Sequence, residues 1–419
     1  MRALSILGLS AGMVAALAAF NVHQCVQAAA GPMEQPAGQY RVLEPIESGN
    51  LELFPVVRAN GSAINETPFL TLDEGIVSGE VEVTEAGRVR GLVRQRPAVR
   101  RVPGEDGNYV TIPEEIFDHA ERGDQVNTLV LVNHSKKPLL LLAGEIVTGG
   151  KQDRVIAKDR IVPGGSEPID LGVFCIEPGR WTAHTAVFGA SNKSSGHGFM
   201  VQPTVRERAM VQKDQQEVWN SVHGAIASVA AASPASSGTA YEASAPREFG
   251  TTSYAQVMQD RAVSERVDQA AAPVMKDGEK VLEKLRAEHA VGVVVAIRGE
   301  IVWADLFVST DLLSRYWTKL VRSYAAESLT AGEGGGKPSV ADAQHFLDAP
   351  TSGTESSEGV VGVYRYLELR SGRTESFVLQ SLLPQASYDV HISRLRMKDA
   401  AVVVKPHPHP RPDPYPWYR

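Results

Sequence analysis

From residue 40 onward the apolar positions fall into short runs punctuated by turn residues. Residues 40–42, 51–57, 68–73 and 79–83 read as strands. In the last of these, Val81 and Val83 alternate with Glu80, Glu82 and Glu85, the period of a half-exposed strand. Residues 126–132 and 139–143 are apolar on both faces, which predicts strands in the middle of a core. The polar loop Asn133-His134-Ser135-Lys136-Lys137-Pro138 between them predicts a hairpin. Ile112-Pro113-Glu114-Glu115 carries the proline and acids that suit the first turn of a short helix.

The spacing lengthens in the second half of the chain. Residues 203–232 predict one long helix, with Val218, Trp219, Val222 and Ile226 on a single face. Residues 254–288 predict a second helical region, broken near Pro273 and Asp277-Gly278. Residues 290–307 predict a hairpin about Arg298-Gly299. Ser309-Thr310-Asp311 then caps a helix whose Leu312, Leu313, Tyr316, Leu320 and Tyr324 share a face. Residues 359–369 and 375–382 predict a last hairpin around Ser371-Gly372-Arg373, and residues 388–397 a further strand. Strands dominate the first half and helices the second, with no recurring βαβ unit. The expected fold is therefore α+β, a largely antiparallel β-rich core with several helices in its second half.

The stretches outside this pattern set the domain limits. Arg2, the apolar run of residues 3–20 and the small residues Val26-Gln27-Ala28-Ala29-Ala30 predict a signal peptide over residues 1–30, hence an exported, periplasmic or extracellular protein with no membrane span after cleavage. Residues 31–39 form a Pro- and Gly-containing leader. Residues 40–397 are expected to form a single domain with a flexible Ser/Ala-rich insertion at residues 233–252 and a loop at residues 331–357. Residues 398–419 form a Pro-rich, extended tail suited to a protein partner.

Charge and cysteine content narrow the chemistry. Losing Arg2 with the signal peptide takes the net charge from −7 to −8, an acidity that argues against nucleic-acid binding. The arginine-rich stretch of residues 88–101 reads as a protected edge strand, with anion binding as the alternative. Cys25 leaves with the signal peptide, so Cys175 is alone and cannot form an internal disulfide. No histidine spacing specifies a metal site, and no cofactor is indicated.

Candidate chemistry concentrates in residues 128–181. Gly149-Gly150-Lys151-Gln152-Asp153-Arg154 follows a buried strand, and paired glycines can present successive backbone N–H groups to an anion while Lys151 and Arg154 add positive charge. It is not a P-loop, and the competing reading is a tight structural turn fixed by Asp153 and Arg154. Downstream, strand alternation puts Val173, Cys175 and Glu177 on one face, followed by Arg180 and Trp181. Cys175 as a nucleophile would need a partner such as His134, His184 or His197, and a lone strand cysteine is more often a small buried apolar group.

Together with Ala143-Gly144-Glu145, Val162-Pro163, Val218-Trp219 and residues 292–299, these segments resemble a bacterial domain family named for its association with ADP-ribosylglycohydrolases and rhodanese-phosphatases. The family has no settled activity, and association alone does not give function. The resemblance implies one domain over roughly residues 40–396 and makes Lys151, Gln152, Asp153, Arg154, Arg180 and Trp181 the ligand-binding candidates. Three readings follow. The first is a binding module for a small anionic, nucleotide- or phosphate-like ligand. The second is a hydrolase using Glu177 or Asp153 as general base. The third is a structural or partner-binding envelope protein, which predicts a buried and internally paired motif.

Overall fold

The strand Leu51–Arg58 is buried at every position but its last, and Ala290–Ile297 is buried throughout. Two such runs satisfy their backbones only inside a sheet, and they pair antiparallel as the second and third strands of one. The computed structural model describes residues 38–60, 64, 67–85, 99–103, 109–113, 127–179, 185, 187–190, 198–233, 249–275, 278–330, 335–350 and 354–397. Among these, the main sheet has nine strands, all antiparallel. From one edge they run Tyr40–Val42, Leu51–Arg58, Ala290–Ile297, Glu300–Phe307, Asp389–Arg396, Thr374–Ser381, Tyr364–Ser371 and Thr354–Val360, with Ile46–Ser48 also on Leu51–Arg58. A second, six-stranded antiparallel sheet orders Gly189–Ala190, Ile146–Thr148, Arg154–Ile156, Ile169–Cys175, Thr128–Asn133 and Val81–Glu85. Arg160–Val162, Leu139–Leu141 and Leu70–Thr71 make a small third sheet.

The helices are α1 (Leu72–Ser78), α2 (Pro203–Glu207), α3 (Gln215–Ala232), α4 (Tyr254–Gln259), α5 (Arg261–Met275), α6 (Gly278–Ala287), α7 (Thr310–Ser328) and α8 (Val340–Asp348). One apolar cluster joins the faces of α2 to α7 to both large sheets, through residues such as Leu53, Val293, Phe174, Val222, Val267 and Leu320. The expected α+β architecture holds, as do the 290–307 hairpin and the Ser309 cap, whose hydroxyl accepts from the Leu312 N–H. Among the described residues, no helix is long and apolar enough to cross a membrane.

Five expectations fail, each for an identifiable reason. Residues 68–73 are not one strand: Thr71 makes a capping box with Glu74, and α1 begins at Leu72. Residues 112–115 do not open a helix at Ile112, because Tyr109–Pro113 is a strand paired with Val99–Pro103. The polar loop after Asn133 is not a hairpin, since the strands it joins enter different sheets. Asn133 fixes that divergence by donating from Nδ2 to the carbonyls of Lys137, Val162 and Pro163. The 203–232 helix is interrupted by a π-helical turn at Arg208–Gln212 and a left-handed Lys213, after which Asp214 caps α3. The 331–357 loop contains α8, started by a Ser339–Asp342 capping box and anchored by buried Phe346 and Leu347. In the helical region α5 ends at Met275 and α6 begins at Gly278, the break expected near Asp277-Gly278, while a further break falls at Asp260 and Pro273 lies inside α5. The signal peptide, most of the 233–252 insertion and the tail lie outside the described residues.

Candidate functional site

The glycine turn sits where Ile146–Thr148 hands over to Arg154–Ile156 in the second sheet. Gly149 (φ 125°) and Gly150 (φ 50°) take conformations that side chains resist, and a Cβ on Gly150 would lie 2.3 Å from the Phe188 ring. The turn presents three successive N–H groups, and each meets an oxygen of the chain itself. Gly149 donates to Asp153 Oδ1 (3.0 Å), Gly150 to Thr185 Oγ1 (3.2 Å) and Lys151 to Glu85 Oε1 (2.8 Å). The N–H groups that the sequence reading offered to an anion are therefore occupied by the chain's own side chains.

Around it the signature closes on itself. Gln152, Asp153, Arg154, Cys175 and Glu177 are all buried, and only Lys151 is half-exposed. Glu177 Oε2 accepts the Asp153 N–H (3.0 Å), Gln152 Nε2 donates to the Glu177 carbonyl (3.0 Å) and Arg154 donates to the Gln152 carbonyl (2.7 Å). Arg154 and Cys175 are cross-strand partners. Burial pushes the Cys175 thiol up from its ordinary pKa, against the opposing pull of the Glu177 N–H and the Arg154 charge. Such a thiol is inert rather than activated. Arg180, Trp181, His184 and His197 lie outside the described residues.

The same strand end docks the helical layer. The Gln215 side-chain amide, at the start of α3, bonds both ways with the backbone of Cys175, accepting its N–H and donating to its carbonyl at 2.9 Å each. Asp153 Oδ2 accepts from Ser253 Oγ (2.5 Å), the residue that caps α4, while Tyr254 N–H reaches the Ile176 carbonyl and Thr252 Oγ1 the Pro178 carbonyl. The candidate residues thus hold together the second sheet and the N-termini of two helices.

Sequence reasoning missed a second buried cluster that bridges the main sheet to the loop after Arg154–Ile156. His391 lies between two carboxylates, with Nδ1 2.6 Å from Asp159 Oδ2 and Nε2 3.1 Å from Asp305 Oδ1. Asp305 also receives Arg206 Nη1 (2.8 Å), Ser393 Oγ (2.9 Å) and the Tyr324 hydroxyl. All six residues are buried. Burial alone would lower the His391 pKa, but Asp159 and then Asp305 outweigh it and raise it. For Asp305 burial is likewise overcome, by Arg206 and His391, and its pKa falls well below the carboxylate range. Two cations thus offset two anions in a closed set.

Neither of two surface grooves is lined by the signature. One, of about 30 Å³, is bordered by Arg298 and Arg396 but also Glu207, Glu300 and Glu327. Another, of about 540 Å³, sets Lys137 and Arg315 against Glu74 and Asp311. Neither has the surplus of cations that a phosphate-like ligand would require.

These features define an α+β domain in which a nine-stranded antiparallel sheet carries the helices and a smaller sheet carries the signature. The chain belongs to the family of the ARG and Rhodanese-Phosphatase-superfamily-associated Protein domain, ARPP-1, whose pattern matches residues 39–395. No curated protein and no solved structure matches the chain.

Proposed function

We propose that this chain is an exported structural or partner-binding domain in which the glycine turn and the Cys175–Glu177 strand end act as a folding node. The observation that carries this reading is the filling of the turn's three N–H groups by Asp153, Thr185 and Glu85. An anion entering the nest would have to displace two carboxylates that the fold already holds there. The test is a thermal-shift panel of nucleotides, ADP-ribose and sugar phosphates on the full chain. A native-state ligand at 100 times its Kd would add about 2.7 kcal/mol. The expected result is no shift; a shift abolished by Lys151→Ala overturns the reading.

Lys151, half-exposed at the rim, is the observation that favours a binding module for a small anion, and the same panel decides it. The hydrolase reading, with Glu177 or Asp153 as general base, has less support, because a base must reach its substrate and both carboxylates are buried and engaged by the backbone. Export rests on residues 1–30, and N-terminal sequencing of the mature protein should start near Gly31; an intact Met1 in the exported fraction contradicts it. The Pro-rich residues 398–419 are the proposed partner arm. Their removal should leave the melting temperature unchanged and eliminate in-cell cross-links to the envelope partner, whereas undiminished cross-linking contradicts that role.

A further inference from the structure

Lys319 is the buried cation of α7. Its neighbours on the helix's inward face are Tyr316, Leu320 and Tyr324. Its Nζ lies 2.5 Å from Asp73 Oδ2, in the first turn of α1, and 2.7 Å from Glu145 Oε1, in the loop after Leu139–Leu141. Both carboxylates are buried too, and the Tyr316 ring lies 5.2 Å from the ammonium. One cation therefore faces two carboxylates where water is scarce. Glu145 Oε2 is fixed separately by the Leu142 N–H at 2.7 Å. Burial, only partly offset by Lys319, pushes the Glu145 carboxyl up from its ordinary pKa. For Lys319 the lowering effect of burial is outweighed by Glu145 and Asp73, which hold the ammonium above its own.

An amine in contact with one carboxylate, beside a second carboxyl able to shuttle protons, is the set of groups that amide formation requires. We propose that Lys319 and Asp73 condense to an intramolecular amide between α7 and α1, with Glu145 as the catalytic acid and base.

The balance closes within the protein. The ammonium gives a proton to the Asp73 carboxylate, producing an amine and a carboxylic acid. The Nζ lone pair attacks Asp73 Cγ, and a new C–N bond forms. Glu145 protonates the departing oxygen, the C–O bond breaks, and water leaves. Glu145 then recovers its proton from Nζ. Ammonium plus carboxylate give amide plus water, with no oxidant, reductant or cofactor. The product removes two opposite charges from a site where keeping them desolvated is costly. It also supplies a covalent tie that an exported chain with one buried thiol cannot obtain from a disulfide. The proposal is independent of what the glycine turn does.

Peptide mapping of the purified full chain tests it. Trypsin does not cut after an acylated lysine, so the expected product is residues 316–322 joined to residues 59–88, lighter than the sum of the two peptides by one water. Unlinked peptides ending and beginning at Lys319–Leu320, at unmodified mass, overturn the proposal, as does a link from Lys319 to the peptide containing Glu145. Glu145→Gln provides the mechanistic arm. In a variant that melts cooperatively, amide formation should slow by about 100-fold or more, the usual worth of a positioned acid–base group. An undiminished rate removes Glu145 from the role.

Discussion

At the scale of the residue, the molecule's charged interior is organised by pairings that act at long range. His391 is the clearest case. Its contribution to stability follows from a pKa raised in the folded state: it is fully present below the unfolded value of about 6.5 and is lost as pH rises through the folded value. Asp305, with a depressed pKa, contributes above the unfolded carboxylate value of about 4 and is lost as pH falls. His391→Ala leaves Asp159 and Asp305 without their shared cation and is expected to cost about 3–5 kcal/mol. Denaturant titrations across neutral to alkaline pH should show the wild type losing stability where the variant stays flat; parallel profiles contradict the assignment. Cys175 gives a simpler test. In a Cys25→Ser protein, a thiol reagent at neutral pH should label only after denaturation, and fast native labelling would contradict a buried, protonated thiol. The sequence signals for these buried charges were present but weak. Asp305 interrupts the apolar face of Ile301, Trp303 and Phe307, and Lys319 interrupts that of α7, yet neither indicates which distant residue answers it.

At the scale of the element, periodicity reads well where burial is one-sided and poorly where caps and partners decide. The Ala290–Ile297 and Glu300–Phe307 hairpin and the face of α7 were legible because their apolar spacing matches what they bury. The 133–138 loop misled because a polar link between apolar strands suits a hairpin equally well, and only Asn133's distant carbonyls divert it. α8 was hidden in a stretch rich in small residues, although Ser339 and Asp342 spell its capping box. Gln215 was missed because a glutamine in a helix's first turn looks like solvent-facing polarity, while its amide in fact extends the hydrogen bonding of Cys175. Gln215→Ala should cost about 1–3 kcal/mol and speed amide exchange at the start of α3. Unchanged protection there would mean that α3 is held by its apolar face alone.

At the scale of the whole molecule, two sheets meet across one apolar cluster, and polar nodes fix their relation to the helices. The family signature was legible as a specified stretch, since glycine pairs and clustered charge after a core strand are costly unless used. Its purpose was not, because a nest that binds a ligand and a nest that binds the chain's own carboxylates share one residue pattern. The distinction lies in Glu85, Thr185 and Ser253, which come from elsewhere in the chain. The central claim is that this signature folds the domain, and equilibrium unfolding of Asp153→Ala beside Lys151→Ala tests it most directly. Removing Asp153 strands the Gly149 N–H and the Ser253 hydroxyl, and the account predicts a loss of about 3 kcal/mol, against a change within about 0.5 kcal/mol for Lys151→Ala. An Asp153→Ala protein as stable as the wild type would contradict it.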